Sequence, residues 1–289
     1  MNRRNLLKGS LFGASALFLH PLAAHAAAGD RADARLQTLE RRYGGRLGVS
    51  VLDTGTGQRV ARRGDERFLM CSTFKVLAVA AVLARVDAGK EALDRRIVFG
   101  ADVLLDYAPA TRQHVGAPGM TVAELCAAAI TLSDNSAANL LLASLGGPMA
   151  VTRFLRALGD PVTRLDRIEP ELNVGGPGDL RDTTTPDAML DTLQRLLLGH
   201  VLTEVSRARL IGWLSGCTTG TDKLRAGVPA DWQAGDKTGS AHDQSNDVAL
   251  FWPPKRKPIL VTAYYAGSSS DSKQRSAVLA EVGRIAASI

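Results

Sequence analysis

The order of patterns along this chain predicts an α/β protein of the α+β type. An antiparallel sheet is built from both chain termini and flanked by helices, with an all-helical lobe inserted between them. Three observations carry that reading. Strand alternation around a Gly-rich turn stands near the N-terminus, helical periodicity fills the stretch from about Ser72 to Trp213, and strand patterning returns after Gly220.

Taken in order, residues 1–28 read as an export signal. Arg3-Arg4 precede Asn5-Leu6-Leu7-Lys8, an apolar run follows from Leu11 to Leu19, and Ala24-His25-Ala26 supplies a cleavage pattern. The paired arginines point to the twin-arginine type and hence to a periplasmic or secreted product. The signal holds Arg3, Arg4 and Lys8 and no acid, so the formal charge of +6 falls by three on processing. What remains is long enough for a substantial core. Basic residues are scattered without interleaved aromatics, which argues against nucleic-acid binding, and no later stretch has the length of a membrane span.

A helix is expected from about Asp30 to Tyr43, then a hairpin from Arg46 to Arg63 turning at Asp53-Thr54-Gly55-Thr56-Gly57. Val76 to Leu83 is apolar all round, the mark of a buried helix. Thr121 and Glu124 form a capping-box signature. Asn135 to Leu145, Val151 to Leu158 and Pro186 to Leu198 read as further helices. Trp232 to Ser240, Asp247 to Trp252 and Pro258 to Ala266 read as strands, and Ser272 to Ser288 as an amphipathic terminal helix. The implied organisation is an α/β lobe from residues 29–68 and 215–289, and a helical lobe over 69–214 with an Ω-like loop at about 164–182. A ligand belongs in the cleft between them.

Four short polar motifs follow one another: Ser72-Thr73-Phe74-Lys75, Ser133-Asp134-Asn135, Glu169 with Asn173, and Lys237-Thr238-Gly239-Ser240. Each has an ordinary reading when taken alone. Ser-x-x-Lys recurs at Ser270-Asp271-Ser272-Lys273, Ser-Asp-Asn is a common helix cap, and Glu169 alone is a solvated carboxylate. Together they supply the parts for serine acyl transfer followed by hydrolysis. Ser72 and Lys75 are three apart and share a helix face, and the apolar run after Lys75 draws its ammonium into the core, where burial frees it to pass protons. Ser133 can relay a proton to a leaving nitrogen, and Asn135 can hydrogen-bond a substrate amide. Glu169 and Asn173 can hold a water between them, with Glu169 as general base. Arg167 and Asp182 can close the loop neck as an ion pair. The Lys237–Ser240 strand edge offers donors to a carboxylate. The five histidines lack zinc spacing, so no metal or other cofactor is implied.

With these residues, the chain resembles the class A serine β-lactamases over essentially its whole mature length, including Asp182-Thr183-Thr184-Thr185-Pro186 and Ala234-Gly235-Asp236-Lys237. The resemblance implies the β-lactamase/D,D-peptidase type of fold and an acyl-enzyme on Ser72. Either Lys75 or Glu169 is then the acylation base, and Glu169 with Asn173 activates the deacylating water. It also implies an oxyanion hole from the backbone N–H groups of Ser72 and Ser240, and carboxylate binding by Lys237, Thr238 and Ser240. Tyr107 would flank the cleft mouth, and the enzyme would be a monomer acting on a small β-lactam. An arginine that many members carry after Lys-Thr-Gly is here Asn246, and Lys223 is the expected substitute cation. Cys71 and Cys126 lack the partners of the family's bridges, and no disulfide is expected among Cys71, Cys126 and Cys217. Two other classes compete: a penicillin-binding D,D-peptidase, which lacks a base like Glu169, and a binding module without turnover.

Overall fold

The computed structural model describes residues 20–176 and 178–289, and its backbone follows the predicted order. Helix α1 (His20–Tyr43) leads into β1 (Arg46–Asp53) and β2 (Arg59–Arg62). A short strand β3 (Phe68–Leu69) and a 3₁₀ turn (Cys71–Thr73) then deliver the chain to α2 (Phe74–Asp87). The pair β4 (Arg96–Ile97) and β5 (Met120–Thr121) precedes α3 (Val122–Thr131), α4 (Asn135–Leu145) and α5 (Pro148–Ala157). Strand β6 (Thr183–Thr184) pairs with β3 and opens α6 (Pro186–Leu197), followed by α7 (Glu204–Ser215) and α8 (Leu224–Gly227). Strands β7 (Gln233–Ala241), β8 (Gln244–Trp252) and β9 (Ile259–Ala266) and helix α9 (Ser272–Ala286) complete the chain.

The main sheet runs β2-β1-β9-β8-β7, antiparallel throughout, so the N-terminal hairpin is zipped onto the last strand. One face packs Leu47, Val49, Val261 and Tyr265 against Leu36 of α1 and Leu279 and Val282 of α9. The other face joins the helical core around α2, whose residues from Phe74 to Leu83 are all buried. That burial, at about 1.5–3 kcal/mol for each large apolar side chain, makes α2 the fixed post of the molecule. Among the described residues no helix is long and apolar enough to cross a membrane.

Several boundaries differ from expectation. Helix α1 begins ten residues before Asp30, carried by the helix-favouring alanines ahead of it. The export-signal reading therefore falls partly on residues 1–19, which lie outside the described residues, and partly on the first turns of α1. Helix α5 starts at Pro148, since proline is well suited to a first turn. Helix α7 is not among the expected elements, because only Ser206, Leu210 and Leu214 are buried while Val205, Ile211 and Trp213 scatter around it. The capping box of Thr121 and Glu124 is present at α3. The second Ser-x-x-Lys begins α9, with Ser272 and Lys273 exposed.

Candidate active site

The catalytic candidates converge where α2, the α3–α4 turn, the 164–182 loop and the β7 edge meet. Ser72 lies in the 3₁₀ turn just before α2, one residue after Cys71, which is held at φ +45°. Lys75 follows on the first turn of α2 and is fully buried. Ser133 also takes a left-handed backbone, φ +60°, between α3 and α4. Such conformations cost about 1–3 kcal/mol outside glycine and recur where a site over-determines them. Asp134 offsets part of that cost: its buried carboxylate caps α4 at the Ala137 N–H and also accepts from Ala110, Thr111 N and Thr111 Oγ1.

Ser72 Oγ donates to Glu169 Oε1 at 3.0 Å, and the same oxygen lies 3.2 Å from Lys75 Nζ. Lys75 Nζ further donates to Ser133 O (2.8 Å), Ser133 Oγ (3.4 Å) and Asn135 Oδ1 (2.6 Å). Lys237 Nζ reaches Ser133 Oγ at 2.9 Å and Thr238 O at 2.8 Å. Ser133 Oγ thus accepts from two ammonium groups, which leaves its own O–H to donate elsewhere. Burial lowers the pKa of Lys75, opposed by Glu169. Burial, aided by the charge of Lys75, pushes Lys237 down to about 7. Two buried lysines sharing one hydroxyl are well placed to exchange a proton through it.

Glu169 is itself buried and held from several sides. Asn173 Nδ2 donates directly to Glu169 Oε2 at 2.6 Å, while Asn173 Oδ1 is buried without a donor among the described residues. Asn139 clamps the backbone, donating to Glu169 O (2.8 Å) and accepting from Glu169 N (3.0 Å). The neck of the loop is closed by Arg167 Nε and Asp182 Oδ2 at 2.6 Å, and Asp182 Oδ1 accepts from the N–H groups of Asp166 and Arg167. Asp182 is fully buried, so Asp182→Ala removes the ion-pair partner of Arg167, which keeps only the Val174 carbonyl, and leaves two backbone donors unpaired. We expect that variant to lose about 3 kcal/mol or more, read as a fall of roughly 6–12 °C in Tm by thermal unfolding, together with faster proteolysis within 164–182.

The pocket itself, about 330 Å³, is lined by Ser72, Tyr107, Ser133, Asn135, Glu169, Asn173, Thr219, Lys223, Thr238, Gly239 and Ser240. Lys75 and Lys237 stand behind that wall. Tyr107 is half exposed at the rim, and its carbonyl accepts from Asn135 N at 3.0 Å. Gly239 is required by proximity: a Cβ there would meet Met70 O at 2.8 Å and Ser72 N at 3.2 Å. The β7 backbone thereby comes against the nucleophile turn, where N–H groups of two elements can meet one oxyanion. Lys223 Nζ donates to Ser240 Oγ (3.1 Å) and Ser245 Oγ (2.9 Å), near the turn that joins β7 to β8. Asn246 is turned to a structural use, with Nδ2 donating to Leu69 O and Met70 O.

Two participants escaped the sequence reading. Thr219 Oγ1 hydrogen-bonds Thr238 Oγ1 at 2.6 Å, and Asn139 holds Glu169. Asn139 stands one helical turn after Asn135, a spacing that could have revealed it. Thr219 sits in a Thr-Thr-Gly turn with no chemical spacing to flag it. Among the described residues no group of three or more His, Cys, Asp or Glu could hold a metal ion, and Cys71, Cys126 and Cys217 are free and buried.

Comparison with known proteins places this geometry in company. The model of the beta-lactamase enzyme family matches residues 31–289. The chain is 46% identical over 252 residues to beta-lactamase OXY-2 of Klebsiella oxytoca, covering 87% of each chain. It is 50% identical over 250 residues to beta-lactamase L2 of Stenotrophomonas maltophilia, covering 86% of this chain and 82% of that one. Among solved structures, an ancestral class A β-lactamase superposes with a TM-score of 0.86 at 63% identity, covering 88% of this chain and 98% of that one.

Proposed function

The chain belongs to the beta-lactamase enzyme family, and from that premise we propose which of its residues open the β-lactam ring and how. It is a class A β-lactamase, a hydrolase of the β-lactam amide. In our reading Ser72 Oγ attacks the lactam carbonyl carbon and gives its proton to Glu169, 3.0 Å away. The tetrahedral oxyanion is held by the N–H groups of Ser72 and Ser240. As the C–N bond breaks, Ser133 protonates the ring nitrogen and is resupplied from Lys75, which in turn takes back the proton held by Glu169 across their 3.2 Å contact and leaves Glu169 ionised again. Glu169 then takes a proton from a water, which Asn173 Oδ1 helps orient. The hydroxide formed displaces Ser72 Oγ from the ester, and the proton returns to Ser72.

Asn135 Oδ1 is taken by Lys75, so its Nδ2 is the atom assigned to the substrate's amide carbonyl. Thr238, Ser240 and Lys223 receive the substrate carboxylate, Gly239 admits the substrate beside β7, and Tyr107 flanks its entry. Lys237 contributes positive potential from behind Ser133 and Thr238. With its pKa near 7, the free enzyme loses that charge as pH rises through neutrality. The kcat/KM for a carboxylate-bearing penicillin should therefore fall on the alkaline side of about 7. Lys237→Arg, which does not deprotonate, should move that limb upward. A wild-type profile flat to pH 9 would contradict the assignment.

The observation that carries the hydrolytic reading is the Glu169 carboxylate, bonded at once to Ser72, Lys75 and Asn173. It supports rapid deacylation over the stalled acyl-enzyme of a D,D-peptidase. The test is to offer the enzyme penicillin and, separately, a peptide ending in D-alanyl-D-alanine. Many turnovers of penicillin without D-alanine release are expected. Stoichiometric penicillin capture with D-alanine release would overturn the reading. We further propose that residues 1–28 direct export and that the mature enzyme works as a monomer, which N-terminal sequencing and sedimentation of the exported protein would check.

A further inference from the structure

Beneath the carboxylate end of the pocket lies a buried polar layer that no step above uses. Thr238 pairs with Asp247 and Asp236 with Ala249 across β7 and β8, which makes Asp236 and Asp247 diagonal neighbours on one face. Both are fully buried. Asp236 Oδ1 accepts from Arg225 Nε at 2.8 Å, and Asp247 Oδ2 accepts from Leu224 N at 3.1 Å. The other oxygen of each, Asp236 Oδ2 and Asp247 Oδ1, is buried without a donor among the described residues. Two ionised carboxylates presenting bare oxygens in one dry layer are costly, and a single proton would give both oxygens a hydrogen bond.

We propose that Asp236 and Asp247 share one proton, between Asp236 Oδ2 and Asp247 Oδ1, and that this proton leaves Lys223 uncompensated as the cation that receives an anionic substrate. The charges around the pair fix the sign. Lys223, Arg225 and the Cys217 thiol, which hydrogen-bonds Asp236, surround it from the segment between α7 and β7, Lys237 acts on it from β7, and Asp222 bears on Lys223. Asp222 is exposed and screened. With the shared proton the two carboxyls carry one negative charge, which Arg225 matches, and Lys223 is left over. With both ionised they carry two, and Lys223 is neutralised from within. Burial favours the protonated pair: it raises Asp236, and together with the charge of Asp236 it raises Asp247 further.

Asp236 and Asp247 are positioning residues here, since neither lines the pocket. The first half of the proposal stands without any assignment of substrate contacts, while the second rests on Lys223 as a carboxylate-binding residue. The test is infrared difference spectroscopy in D₂O at neutral pH between the wild type and Asp247→Asn, with Asp236→Asn as a second variant. A protonated-carboxyl band present in the wild type should be lost in both. KM for penicillin should stay within about twofold in Asp247→Asn, because the amide keeps the pair's charge and its N–H supplies the donor. If both carboxylates are ionised, no such band is lost, and removing one charge tightens KM roughly tenfold; that result overturns the proposal. Lys223→Gln should raise KM roughly tenfold with kcat little changed. An unchanged KM there, with the band intact, would overturn the role of Lys223 and leave the shared proton standing.

Discussion

Glu169→Ala should convert the enzyme into one that is acylated by penicillin and then stalls. The carboxylate is the only described side chain bonded to both Ser72 Oγ and Asn173, so its removal deletes the group that would take a proton from the deacylating water. General-base catalysis contributes about 10²–10⁴ in rate, and deacylation should fall by that amount. Acylation should suffer less, because another proton acceptor stands nearby. Lys75 loses its anionic partner in the variant, and burial then lowers its pKa further, which makes the neutral amine more available to Ser72. Steady-state kcat should drop about a thousandfold while a burst of one equivalent persists. A variant with unaltered kcat would remove Glu169 from the mechanism.

The second large effect is on the nucleophile. Ser72→Ala should abolish turnover by about 10⁶, the scale seen when a nucleophile that acts as part of a unit is deleted. Binding should survive, since Tyr107, Asn135, Thr238, Ser240 and Lys223 line the pocket independently of the hydroxyl. Stability should be little changed, because Glu169 retains Lys75 and Asn173 as partners. Isothermal titration should detect penicillin binding without product formation. Residual turnover within a hundredfold of wild type would mean that another group makes the acyl bond.

The sequence made the polar motifs legible because each lies at a joint of the fold, where backbone geometry and chemistry ask for the same residue types. Asp134 serves as a helix cap and closes the turn that presents Ser133. Gly239 is demanded by the approach of β7 to Ser72 as much as by any ligand. The sheet was readable because β1, β8 and β9 are long and apolar, whereas α7 was hidden by a face too narrow to show a period. Contacts between distant segments left no local mark. Thr219 meets Thr238, and Asn139 holds the Glu169 backbone, only because the fold brings them together. Asn246 illustrates the converse: at the position where the family resemblance implies an arginine, its side chain binds the backbone before the nucleophile.

The decisive measurement is time-resolved intact mass of the enzyme mixed with excess penicillin. An adduct of one penicillin on Ser72 should appear first and vanish while the penicillin gains one water. An adduct that persists after the substrate is removed would contradict it, as would hydrolysis through any residue other than Ser72.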